Sequence, residues 1–135
     1  MKYEIFDHTG DIGIRFYGKT LEDLIIDGFR AVSSLMGSQP GRKHEIIARE
    51  DVKSSNPEAF FYDLILRLIY HFEVNSVHMT SIEFPKGIGK KSTEVVMHGY
   101  RINGRFAYKH VFKSPTFHML EISPEKGYGT IVIDI

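Results

Sequence analysis

The chain contains no cysteine in its 135 residues. Neither a disulfide framework nor a thiolate metal centre can be built from it, which suits a reducing compartment. It also lacks a long apolar run. No stretch approaches the roughly 20 apolar residues of a membrane span, and the opening MKYEIFDHTG has no apolar core of the kind a secretory signal requires. The expected address is cytoplasmic, with no membrane partner. Net charge is absent too: 17 basic residues balance 17 acidic ones, which argues against a protein that coats DNA. The strong chemical motifs are missing as well, since there is no P-loop, GxGxxG, HExxH or GxSxG. GIGKKST, residues 87–93, lacks the full phosphate-loop spacing. No internal repeat, linker or low-complexity segment divides the chain.

What is present describes an ordinary globular sequence, with 42% hydrophobic and 25% charged residues. One domain over 1–135 is expected, long enough to bury a core without staples. The zero net charge hides an asymmetry. Residues 86–113 carry seven cations (Lys86, Lys90, Lys91, Arg101, Arg105, Lys109 and Lys113) against Glu94 alone, a balance of +6. Such a run is either the solvated face of hairpin strands or one basic surface for an acidic partner. No RRM-type aromatic signature accompanies it.

Periodicity gives the elements. KYEIF and IGIRFYG read as short strands around a polar turn. Residues 19–37 read as a helix with Thr20 as N-cap, Asp23 as an acid three residues on, and Gly37 as the stop. Its stripe of Leu21, Leu24, Ile25, Phe29, Val32 and Met36 falls at three- and four-residue steps. SQPGRK is a turn and HEIIARE a strand. A second helix begins at Asn56 as N-cap with Pro57 in its first turn, and Phe61, Leu64, Ile65, Leu68, Ile69 and Phe72 form its apolar face. From Ser81 the period switches to two. SIEFPKGI, STEVVMHGY, FAYKHVFK, TFHMLEI and GTIVIDI read as strands, and INGR reads as an Asn-Gly hairpin turn. Tight turns between the late strands make them antiparallel. The class is therefore α+β, two-layer, with two helices packed on one face of a mainly antiparallel sheet.

The polar residues concentrate in FDHTGDIGI, residues 6–14. Asp7, His8 and Asp11 crowd into five positions, and the local pattern fits a metal site, an acid–base pair or a polar turn in which Asp11 is an Asx residue. A hard cation such as Ca²⁺ takes six to eight oxygens, so the first reading needs partners from elsewhere. The terminal GTIVIDI offers them. Alternation sets Thr130, Val132 and Asp134 on one face and Ile131, Ile133 and Ile135 on the other, and Ile135 is expected to bring an α-carboxylate. His44, His71, His78, His98 and His110 have no ligand spacing and read as surface or capping residues. His8 and His118 sit in denser polar clusters.

DHTGDIGIRFYGKTLEDL resembles the archease signature, in which an acid-His-Thr-Ala-Asp-(Val/Ile)-Gly-Ile run precedes a Gly-x-(Thr/Ser)-Leu-Glu helix start. FKSPTFHMLEI is similar to the family's Val-Lys-Ala-Val-Thr-Tyr-His-x-Leu segment, and TIVIDI to its terminal Val-Ile-x-Asp-Ile. The three motifs appear in order along the whole chain. The resemblance implies a small accessory protein of tRNA splicing that acts on a GTP-dependent RNA ligase, promoting its guanylylation and repeated turnover, with chaperone-like character. It implies a bound divalent cation, typically Ca²⁺, on Asp11, Asp134 and Ile135, with Asp7 and His8 as near neighbours. It places Lys113, Thr116 and His118 on the functional surface, with tRNA contacted at most indirectly. Three departures stand out. Gly10 replaces alanine and loosens the turn. Ser114-Pro115 replaces Ala-Val, and since proline donates nothing to a ladder, its strand is expected at an edge or bulged. Val111 stands where an acid often neighbours Lys113.

Other classes of function remain open beside this one. A small metal-dependent hydrolase or nucleotidyl enzyme could use Asp7, His8, Asp11 and Asp134, but it would need donors that clamp a transferring phosphate, and none adjoins these acids in sequence. A general RNA-binding chaperone could use the basic 86–113 stretch, with steep salt dependence as its mark.

Overall fold

The computed structural model describes residues 3–8 and 10–135, and for Asp7 and His8 the backbone alone. The chain runs β1 (Tyr3–His8), β2 (Asp11–Tyr17), α1 (Leu21–Met36), β3 (Gly37–Ser38), β4 (Ile46–Lys53), α2 (Pro57–Asn75), β5 (Val77–Glu83), β6 (Ser92–Arg101), β7 (Ala107–Tyr108), β8 (Ser114–Ser123) and β9 (Tyr128–Asp134). The class is α+β, two helices on antiparallel sheets, as the periodicity indicates. The strands divide among three sheets: β1-β2-β9-β8, β4-β6-β5 and the small pair β3-β7. Every described strand pair is antiparallel.

Local chemistry explains the helices. The Thr20 hydroxyl accepts from the Asp23 amide at 3.1 Å and the Asn56 side chain accepts from the Ala59 amide at 3.0 Å, so each helix begins where an orphan N–H finds a side-chain oxygen. Pro57 occupies the first turn of α2, where its missing N–H costs nothing. α1 ends at Gly37, whose φ of +141° disfavours any side chain. α2 ends at Ser76 in the left-handed region, with its amide donating to the His71 carbonyl.

Both helices touch both larger sheets: α1 lies against β2 and β5, and α2 against β8 and β5. One apolar cluster therefore joins Ile14, Ile131 and Ile133 of the four-stranded sheet to Met79, Val95 and Met97 of the three-stranded one through Leu24, Ile25, Phe29, Leu64, Ile65 and Leu68. Phe72, expected with them, is only partly buried and packs at the edge of this cluster.

Several boundaries differ from expectation. The strand placed at 81–88 starts at Val77 and stops before Pro85. FAYKHVFK contributes only the two residues of β7. The amides of Lys109 and His110 donate instead to the carbonyls of Met36 and Leu35 at 3.1 Å each, so this segment closes the end of α1 and is not part of a long ladder. INGR is a turn, with the Phe106 amide on the Asn103 carbonyl at 3.1 Å, but it joins no hairpin, because β7 pairs with β3. Pro115 behaves as its chemistry demands. β8 is an edge strand, and its register shifts between Thr116 and Glu121.

Candidate functional site

The first and last hairpins meet at one end of the four-stranded sheet. In backbone register His8 is opposite Asp11, Asp11 is opposite Asp134, and Asp134 is opposite Ser114. Ile12, Ile14, Ile131 and Ile133 point into the core. The alternation of β2 and β9 therefore sends Asp11 and Asp134 to the same outer face, and side chains directly opposed in an antiparallel pair have Cβ atoms about 4.5–5.5 Å apart. The Lys113 amide donates to the Asp134 carbonyl at 2.8 Å, fixing the start of β8 against the end of β9.

Two carboxylates so close disfavour simultaneous ionisation. The Asp134 carboxyl is held above its ordinary value, first by a side-chain hydrogen bond with Asp11, then by partial desolvation and the Asp11 charge. The Lys113 charge and a hydrogen bond with Ser114 act in the opposite direction. Such a pair stabilises a proton or a cation between its members. Its donors are oxygens only, which suits a hard ion such as Ca²⁺ or Mg²⁺ and not a soft one. Among the described residues no point gathers three or more histidine or acidic side chains. The pair alone would leave most of a cation's coordination shell to water, backbone oxygens or a partner.

The remaining candidates divide. Asp7 lies on β1 opposite Ile12, but its side chain and that of His8 fall outside the described residues. Ile135 follows Asp134 at the same sheet end and is 44% exposed. Lys113 is exposed beside the acid pair. Thr116 lies two residues along from Ser114, and its hydroxyl donates to the Val132 carbonyl at 3.0 Å. His118 is exposed within the shifted segment of β8, between Phe117, whose ring stacks on Tyr62 of α2 at 4.0 Å, and Met119, which has a left-handed φ of 58°. Gly10, in the β1–β2 turn, takes φ +73°, which glycine adopts more freely than alanine would.

Sequence reasoning missed Ser114 as a partner of Asp134; alignment from the β8–β9 turn would set Phe117 there, and only the register shift between Thr116 and Glu121 brings Ser114 opposite Asp134. It also read His78 as a surface or capping residue. His78 is 2% exposed, with Nε2 2.9 Å from the Ser33 hydroxyl and Nδ1 2.6 Å from the Tyr100 hydroxyl. The basic stretch does not gather on one strand face. Lys90 and Lys91 precede β6, Arg101 ends it ten residues later, and at about 3.3 Å per residue the two ends stand roughly 30 Å apart.

An α+β fold with an acidic pair where its two outer hairpins meet is the class of protein these observations define. A sequence profile of the Archease protein family (MTH1598/TM1083) matches residues 3–135, and the chain belongs to that family. It is 27% identical to the protein archease of Thermoplasma acidophilum over all of this chain and 94% of that protein. It is 26% identical to its counterpart from Thermoplasma volcanium over the full length of both. The fold is similar to the solution structure of Methanobacterium thermoautotrophicum protein 1598, with a TM-score of 0.76 and 23% identity over 98% of each chain. It is also similar to the crystal structure of an archease, described as a possible chaperone, from Thermotoga maritima. That match has a TM-score of 0.64 and 16% identity over 99% of this chain and 95% of that one. No helix among the described residues is long and apolar enough to cross a membrane.

Proposed function

We propose that this chain is a non-enzymatic, cytoplasmic activator of a GTP-dependent tRNA-splicing RNA ligase, acting with a divalent cation, most readily Ca²⁺, at the Asp11–Asp134 pair. The observation that carries the reading is the direct opposition of these two carboxylates, with Asp134 raised by Asp11 and Lys113 alongside. Membership of the archease family supports it. Asp11 and Asp134 would hold the ion with Ile135 beside them, and the cation would neutralise the pair and offer open positions to a partner's phosphate or carboxylate. Lys113, exposed at the same sheet end, would present a positive charge to the ligase. An independent phosphoryl-transfer enzyme is less well supported, because among the described residues one lysine and no arginine flank the acids, too few donors to clamp a transferring phosphate. A general RNA-binding role is less well supported because the basic residues are dispersed.

The test is a time course of ligase guanylylation and RNA joining. Substoichiometric amounts of this protein, with GTP and divalent metal, should convert a single turnover of its cognate ligase into many. Alone, the protein should hydrolyse neither GTP nor RNA. Asp11→Ala and Asp134→Ala should abolish the stimulation while circular dichroism shows the fold intact, and Lys113→Ala should reduce it. Folded acid-pair variants that stimulate like the wild type would make the cluster structural and refute the proposal.

A further inference from the structure

We infer that the cavity between α1 and the three-stranded sheet is a binding site for a phosphate ester of nucleotide size. The cavity holds about 610 Å³, within the range of small-molecule sites. Its charge comes from Arg30, Arg42 and Lys109, and Ser34, Thr80 and Ser81 add hydroxyls. No aspartate or glutamate is among the lining residues described. Two cations elsewhere are paired among the described residues, Arg67 with Glu50 and Asp63, and Lys126 with Glu121. Among the described residues no ion pair engages Arg30, Arg42 or Lys109. At the rim the Glu83 carboxylate lies 3.1 Å from His98.

Three exposed cations line one concavity with no acid among the lining residues; water screens their repulsion, and an anion bound among them would replace it with attraction. A phosphomonoester carries about −1.5 to −2 charge with three acceptor oxygens, which suits two guanidinium forks and an ammonium better than a single carboxylate does. The framework sets where each cation leaves the backbone. Arg30 shares a helical face with Ile26, Ser33 and Ser34 at three- and four-residue steps. The Arg42 guanidinium lies over the Tyr100 ring at 5.5 Å. Lys109 is tied by its amide to the Met36 carbonyl, so the negative end of α1 is spent on the chain and not turned toward the ligand. His78 forms part of the wall as a neutral side chain, kept so first by burial and then by the charges of Arg42 and His44. A phosphate would fill only part of the space. The remainder, lined by Ile26, Ile82 and hydroxyls, fits a sugar and base. A free nucleotide and the phosphorylated end of an RNA strand present this same chemistry. The cavity shares no lining residue with the Asp11–Asp134 pair, so the inference does not depend on the proposed function.

Calorimetry on the full chain tests it with adenosine 5′-monophosphate, adenosine, inorganic phosphate and a short oligoribonucleotide ending in a phosphate. The monophosphate should bind at least tenfold more tightly than adenosine or inorganic phosphate. Arg30→Ser and Arg42→Ser should each weaken it about tenfold, while Lys53→Ala and Asp11→Ala leave it unchanged. Competition by the oligonucleotide would identify the RNA end as the source, and failure to compete would identify the free nucleotide. Absence of monophosphate binding, equal affinity for inorganic phosphate, or affinity indifferent to the arginine substitutions in folded variants would overturn the inference.

Discussion

Asp11 and Asp134 face each other across β2 and β9, a pairing of like charges at a position where a sheet ordinarily gains from complementary ones. Like charges directly opposed in a ladder are destabilising. The fold therefore tolerates local repulsion at the point where its first and last hairpins join, and Lys113 only partly relieves it.

Removing one charge should relieve the repulsion. Asp11→Asn and Asp134→Asn are expected to unfold in metal-free buffer at the same temperature as the wild type or a few degrees higher. Added Ca²⁺ should raise the melting temperature of the wild type and not of the variants, since only a ligand that binds the folded state stabilises it. Thermal denaturation with and without Ca²⁺ reads both effects. Variants that melt far lower in metal-free buffer would show the pair to be a structural hydrogen bond.

Gly28, in the middle of α1, should resist a substitution that usually helps a helix. Alanine there would normally gain up to about 1 kcal/mol of helix propensity. A Cβ on Gly28 would lie 2.7 Å from the Phe16 ring and 2.8 Å from the Phe61 ring, both fully buried and packed together. Overpacking of this kind costs about 1–3 kcal/mol. Gly28→Ala should therefore lower the urea midpoint, and a raised midpoint would show that the rings can move aside.

The legible parts of the fold were those decided by near neighbours. Thr20 and Asn56 cap the helices they were expected to start, because a cap needs only the next turn of chain. Pro115 announced an edge or a bulge because a missing N–H has the same meaning in any fold, and β8 has both. The segment 106–113 could not be read locally, since the Lys109 and His110 amides go to the end of α1, more than 70 residues earlier in the chain. His78 misled for a related reason: its partners Ser33 and Tyr100 lie 45 and 22 residues away. Alternation along GTIVIDI set the face of Asp134, but its place opposite Asp11 is a property of the β2–β9 register. The cavity beside α1 was illegible because Arg30, Arg42 and Lys109 come from a helix, a loop and the segment that closes that helix.

Glu50 links β4 to α2 by accepting from Arg67 and lying 2.9 Å from His71 Nε2. Burial pushes its carboxyl up, but the hydrogen bonds from His71 and Arg67 and their charges outweigh that and hold it below its ordinary value. A depressed carboxylate contributes stability above its unfolded pKa and loses it as pH falls through the folded one. The side chains of Glu50 and Arg67 remain 24% and 30% exposed, so solvent screens the pair. Glu50→Gln should cost about 1 kcal/mol at pH 7. A double-mutant cycle with Arg67→Met, followed by urea unfolding, should give a coupling of about 0.5–1 kcal/mol. Additive losses would show that the two side chains act independently.

His78 should set a pH dependence of stability that can be separated from the carboxylates. The Ser33 carbonyl, 3.0 Å from Nε2, can only accept, so Nε2 carries the proton, and Nδ1 is left to accept from the Tyr100 hydroxyl. This network satisfies the neutral ring on both sides. Protonating Nδ1 would force the Tyr100 hydroxyl to turn from donor to acceptor and would place a charge on a side chain that is 2% exposed. Burial, reinforced by Arg42 and His44 and opposed by the Ser33 carbonyl, lowers its pKa from 6.5 to about 4. Between these values the unfolded imidazole takes up a proton that the folded one refuses. The contribution is therefore complete above pH 6.5 and is lost as pH falls toward 4, by up to roughly 3 kcal/mol. His78→Gln offers an amide donor and a carbonyl acceptor but no titrating ring. It should be less stable than the wild type at pH 7.5, yet lose less stability on acidification to pH 4.5. Urea unfolding of both proteins across that range isolates the term, because every carboxylate is common to the two. Parallel profiles would mean that the His78 ring takes up its proton in the folded state as readily as in the unfolded one.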